Sequence, residues 1–128
     1  MSPATEKYVR DWAATVDVLT ALIDGKIGTI LASRKLASLR HTLVGDKFDD
    51  DWRTFIGIDS ETDDLPTGEE RRHWAPDALA AKDIEIQRAE DMYRAPALSA
   101  AQNLLQRYRE PIQASEPTSG LTPGRGSL

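Results

Sequence analysis

The chain contains no cysteine. That excludes disulfides, thiolate nucleophiles and cysteine-ligated zinc together, and it fits a reducing compartment. Long apolar runs are also missing: the longest are a few residues, against the roughly 20 that a membrane-spanning helix requires. The first 25 residues, MSPATEKYVRDWAATVDVLTALIDG, carry Glu6, Asp11 and Asp17, where a secretory signal needs a basic start and an unbroken apolar stretch. The expectation is a soluble, cytoplasmic protein with no membrane partner. Phosphate-cradling motifs are absent: there is no GxxxxGK[ST], no GxGxxG after a strand, and no GxSxG elbow. The only histidines, His41 and His73, belong to no HxxxH or HExxH pattern. His41, late in a helix, suits the negative end of the helix dipole. His73 lies in the basic and aromatic run Arg71-Arg72-His73-Trp74, which could fold back on the acids before it.

What is present is charge, unevenly placed. From Asp46 to Asp64 the acids are Asp46, Asp49, Asp50, Asp51, Asp59, Glu61, Asp63 and Asp64, against Lys47 and Arg53. This surplus of six negative charges exceeds the −5 of the whole chain, so the remainder is slightly positive. Such a segment repels nucleic acid and attracts cations or basic protein surfaces. The basic residues Arg34, Lys35, Arg40, Arg71 and Arg72 are too few to track phosphates beside those acids, so no nucleic-acid partner is expected.

The length of 128 residues suits one domain with its own core, and the hydrophobic periods predict an all-α bundle of four to five helices. Tyr8, Trp12, Val16, Leu19 and Ile23 recur at spacings of three and four, predicting a helix over 4–24 with Thr5 as N-cap and Gly25 beyond its end. Ala32, Leu36, Leu39 and Leu43 stripe a second helix over 28–44, closed by Gly45. The short link favours an antiparallel hairpin. Asp49, Asp50 and Asp51 open a short third helix, as acids favour the positive end of the dipole, while Gly57 leaves its far end open. A long acidic loop is expected from Asp59 to His73, punctuated by Pro66 and Gly68. Trp74-Ala75-Pro76-Asp77 opens a fourth helix with Leu79, Ile86, Ala89 and Tyr93 on one face. Pro96 kinks it or begins a fifth, striped by Leu98, Ala101, Leu105 and Tyr108. Residues 1–110 form the domain, and 111–128, rich in proline and glycine, read as a disordered tail.

Three chemistries compete for the acids. Counted from Asp59 as an EF-hand loop, Glu61, Asp63 and Glu70 fall at positions 3, 5 and 12, but Asp64 stands where the turn needs glycine. A metal-dependent hydrolase with Asp59, Glu61, Asp63 and Glu70 as oxygen ligands is the alternative reading. Carboxylate pairs such as Glu61 with Asp63, or Glu85 with Asp91, need a cleft that separates their pKa values; Glu85, Glu90 and Asp91 are more simply solvent-facing partners of Lys82, Arg88 and Arg94. The third chemistry needs no cofactor. Trp52, Phe55 and Trp74 beside carboxylates combine apolar anchors with steering charge, although each aromatic is more simply explained as a core residue pinning the loop to the bundle.

The runs IDSETDDLPTG and RRHWAPDALAAKD, with DGKIGTILASRKLASLRHTL before them, resemble small bacterial proteins of similar length that form a domain family of unassigned activity. The resemblance spans roughly residues 20 to 108 and implies no catalytic residue or cofactor. By size and charge these proteins are similar to immunity proteins that neutralise bacterial toxins. The resulting expectation is a non-enzymatic acidic binding protein for a basic protein partner such as a toxin. Its partner-binding residues would be Asp49, Asp50, Asp51, Trp52, Asp59, Glu61, Asp63, Asp64 and Trp74.

Overall fold

The computed structural model describes residues 2–43 and 49–109. Among them the chain forms four α-helices, α1 (Pro3–Ile23), α2 (Thr29–Leu43), α3 (Asp50–Glu61) and α4 (Pro76–Arg109), with one 3-10 helix at Gly68–His73 and no strand. The all-α expectation of four to five helices is met. The expected tail at 111–128, and the helix closure at Gly45, lie outside the described residues.

Helix α1 begins at Pro3, one residue before the expected start at 4. Ser2, not Thr5, is the N-cap: its hydroxyl accepts from the Thr5 amide at 3.2 Å, and Pro3 opens the first turn, where its missing N–H costs nothing. The helix ends as expected at Gly25, whose φ of +76° is a left-handed geometry that a side chain disfavours. Leu19 and Leu22 are buried, whereas Tyr8 lies outside the packed stripe and is exposed. Thr15 is fully buried, and its hydroxyl donates to the Asp11 carbonyl at 2.7 Å, so burial leaves no unpaired donor.

Helix α2 packs against all three other α-helices. That explains why Ile30, Ala32, Ser33, Leu36 and Ala37 are buried together, a wider arc than a one-sided surface helix needs. Helix α3 runs through Gly57 to Glu61 because Trp52, Phe55 and Ile58, at spacings of three, bury one face; that burial outweighs the roughly 1 kcal/mol that a helical glycine costs.

The main core joins Leu19 and Leu22 of α1, Leu36 of α2, Trp52 and Phe55 of α3, and Leu104 of α4. In α4 the buried residues Ala97, Ala100 and Ala101 are small, which lets neighbouring helices approach closely. Pro96 neither ends nor divides α4, which continues through it to Arg109. The proline only deprives the Met92 carbonyl of its helical donor, and Met92 is exposed, so water can replace that donor. A smaller core of Ile30, Leu65 and Ala89 fixes the connection between α3 and the 3-10 helix by burying Leu65 and Pro66.

The start of α2 is capped from outside its own segment. Gly28 has no side chain to offer, and no acid occupies the first turn. Instead Glu90 of α4 accepts from the Thr29 amide at 2.8 Å and the Ile30 amide at 3.0 Å. Glu90 is thus a tertiary cap and not the solvent-facing partner expected. A Cβ at position 28 would stand 2.8 Å from Glu90 Oε2. Gly28→Ala should therefore displace the carboxylate and destabilise by about 2 kcal/mol, the scale of a charge-assisted hydrogen bond. In a Glu90→Ala background the same change should cost far less. Urea denaturation of the four members of that cycle measures the coupling.

Candidate binding surface

Among the described residues of the acidic segment, Asp49, Asp51, Asp59 and Asp64 pair with cations that arrive from distant parts of the chain. At the start of α3, Asp49 is the N-cap and accepts from the Trp52 amide at 2.9 Å. Arg107 of α4 reaches both Asp49 and Asp51, the latter at 3.0 Å, and Asn103 donates to Asp51 at 3.1 Å. Asp50 is within 3.7 Å of Arg53. Three of the expected partner-binding aspartates are thus explained by capping, dipole and ion pairs.

At the other end stands Arg34 of α2, mostly buried. Its guanidinium donates to Thr67 Oγ1 at 2.8 Å, to Glu70 Oε1 at 2.7 Å, to the Leu65 carbonyl at 2.6 Å and to the Thr62 carbonyl, with Asp59 at 3.7 Å. Glu70 also accepts from the Thr67 amide at 2.9 Å, closing a capping box at the start of the 3-10 helix. The expected long loop is therefore shorter and more regular: α3 extends to Glu61, a buried turn follows, and the 3-10 helix takes up Gly68–His73.

Asp59 and Glu70 face a guanidinium and not a metal ion. Among the described residues no three His, Asp or Glu side chains converge as metal ligands would, so Asp59, Glu61, Asp63 and Glu70 are not brought together as the oxygen-ligand set of the hydrolase reading. Asp64 shares Lys82 with Glu85, at 3.5 and 3.4 Å. Burial works against the Lys82 charge, but Glu85 and Asp64 together outweigh it and hold its pKa above the usual lysine value. The basic run does fold back in part: Arg72 pairs with Glu69 at 3.0 Å, and Arg71 forms a forked pair with Asp83 at 2.8 and 3.2 Å. Both histidines are exposed.

The Arg71 hydrogen bond holds Asp83 below the usual aspartate range. A carboxylate depressed in the folded state stabilises above its unfolded pKa of about 4, and the contribution is lost as pH falls through the folded value. Asp83→Asn should lower Tm slightly at neutral pH and leave it unchanged near pH 2, flattening the acid limb between about pH 2 and pH 5, and the difference should be small because the pair is at the surface.

Glu61 and Asp63 remain. Both are exposed, and among the described residues neither has an ion-pair partner. They sit at the C-terminal end of α3, whose last turn contains no basic residue. That end already carries the negative pole of the helix dipole, so their charges add to it. Beside them, two shallow hollows between α3 and α4, of about 430 and 330 Å³, meet at Glu61 and Tyr93. Gly57 opens the first, since nothing lies within 4 Å of where its Cβ would be.

The aromatics divide in the same way. Trp52 is 1% exposed; its Nε1 donates to the Tyr108 hydroxyl at 3.0 Å and the rings meet edge to face at 6.3 Å. It is a core residue and offers no surface to a partner. Phe55 is likewise buried, while Trp74 is exposed. Trp74 alone of the three is available as an anchor.

Among the described residues no helix is long and apolar enough to cross a membrane. Comparison with protein-family models, with curated proteins and with solved structures returns no match.

Proposed function

We propose that the chain is a non-enzymatic binding protein that meets a basic protein surface with the carboxylates at the end of α3. The observation that carries this reading is the uncompensated pair Glu61 and Asp63, held at the negative pole of a helix with no basic residue in its last turn. Such an arrangement lowers folding stability and raises the attraction for a cationic partner. In its most specific form the reading is a cytoplasmic immunity protein that neutralises a bacterial toxin. Glu61, Asp63 and Asp64 steer the encounter, and Trp74 is the exposed aromatic that can serve as an anchor. Asp49, Asp50 and Asp51, named with them from the sequence, lie at the start of α3, where Asp49 caps the helix and Asp49 and Asp51 pair with Arg107.

The test is capture by the tagged chain from lysate of its own source, at low and then high salt. A basic partner held at low salt and released at high salt is the expected result, because steering by exposed charge is screened within about 10 Å at 0.1 M salt. Glu61→Ala/Asp63→Ala should abolish the capture with the fold intact. Capture undiminished by that double substitution overturns the assignment.

A further inference from the structure

The first half of α4 is packed on one narrow side only. Between Pro76 and Pro96 the sole buried residue is Ala89, with Leu79, Ile86 and Tyr93 half-buried beside it. The opposite side carries Ile84, 59% exposed, while Met92, 67% exposed, lies at its flank on the rim of the hollow shared with Glu61. Asp77, Ala81, Ile84, Arg88, Asp91 and Ala95 follow one another along this side at alternating steps of four and three, the spacing of a helix-packing seam. All six are exposed.

The charges on this side have both signs. Arg88, Asp77 and Asp91 have no ion-pair partner among the described residues; Asp91 accepts only from Gln87 of its own helix, at 2.9 Å. The face is therefore apolar at intervals and carries unpaired charges that complement each other and not themselves.

We infer that this face of α4 is an isologous contact with a second copy of the chain, the two helices running antiparallel. A two-fold contact brings the same patch of both copies together. A parallel pair would set Arg88 against Arg88, which is repulsive. An antiparallel pair sets Arg88 of each copy against Asp91 or Asp77 of the other, making two ion pairs. In the first register Ile84 lies opposite Ala95, in the second opposite Ala81, so either way the large side chain meets a small one and the helices can approach to about 8 Å. In either register the seam faces itself over only about 17 Å at 1.5 Å per residue, from Ile84 to Ala95 in the first and from Asp77 to Arg88 in the second. A single helix seam of that length covers less than the roughly 800 Å² per partner of a tight complex, so the dimer is weak and reversible.

Sedimentation equilibrium of the full chain at low salt, followed upward in concentration, tests this. The expected result is an average mass rising from monomer towards dimer below about 1 mM. Ile84→Lys and Arg88→Asp should each weaken association by about tenfold or more, with unchanged thermal unfolding at low concentration because both positions are exposed. Adding Asp91→Arg or Asp77→Arg to Arg88→Asp should restore association, and the one that does so identifies the register. A monomer mass at every concentration overturns the inference, as does failure of both charge reversals to restore an association that Arg88→Asp has weakened.

Discussion

Trp52→Ala should destabilise the protein by about 3–5 kcal/mol, the range for removing a large aromatic from a packed core. The ring is 1% exposed and lies in the cluster that joins all four α-helices. Its loss opens a cavity among Leu19, Leu36, Phe55 and Leu104, which are themselves buried and cannot collapse freely. The Tyr108 hydroxyl also loses its donor at 3.0 Å. Burial already pushes the Tyr108 pKa up, opposed by the Trp52 hydrogen bond. Trp52→Phe separates the two effects. It keeps most of the ring contact, loses the hydrogen bond, and should cost only about 1–2 kcal/mol. Guanidinium denaturation of both variants measures the difference. Equal, small losses would mean that the Trp52 site is not a packed centre.

Arg34→Ala is the second large effect, expected at about 3 kcal/mol or more. Removing the guanidinium leaves the Thr62 and Leu65 carbonyls, the Thr67 hydroxyl and the Glu70 carboxylate without their shared donor, and an orphaned charged partner costs more than a neutral one. Lysine should not rescue it, since an ammonium cannot reproduce the planar fork that reaches two carbonyls and a carboxylate together. The loss should be local before it is global. Hydrogen exchange of the Leu65 and Thr67 amides, which bond to the Thr62 carbonyl and to Glu70, should rise in Arg34→Ala well ahead of the α1 amides. Uniform acceleration across the chain would contradict a local clasp.

The helices were legible where the signal is local. Gly25 and the spacing of the stripes that hold Leu19 and Leu36 mark elements by rules that need no neighbour. Gly57 misled because local propensity counts against it while the burial of Phe55 and Ile58 on either side decides. The 3-10 segment GEERRH has no apolar period at all, and its order comes from Arg34, more than 30 residues earlier in the chain. The partners of the acidic run were hidden from the sequence for the same reason. Arg107 and Lys82 reach it only through the fold. The role of Glu90 had one faint trace, a helix opening on Gly28 with neither a capping side chain nor an acid in its first turn.

The division of the acids into paired and unpaired sets is tested most directly by comparing two double variants in chemical denaturation at neutral pH. Asp49→Ala/Asp51→Ala removes the cap of α3 and both partners of Arg107, and should lower stability by at least the roughly 1 kcal/mol that a lost N-cap costs. Glu61→Ala/Asp63→Ala removes charges that oppose the dipole of the same helix, and should leave stability unchanged or raise it. Opposite or clearly unequal effects are the predicted result. Equal destabilisation by the two pairs would contradict it, since Glu61 and Asp63 would then be holding the fold together and would not be free to meet a partner.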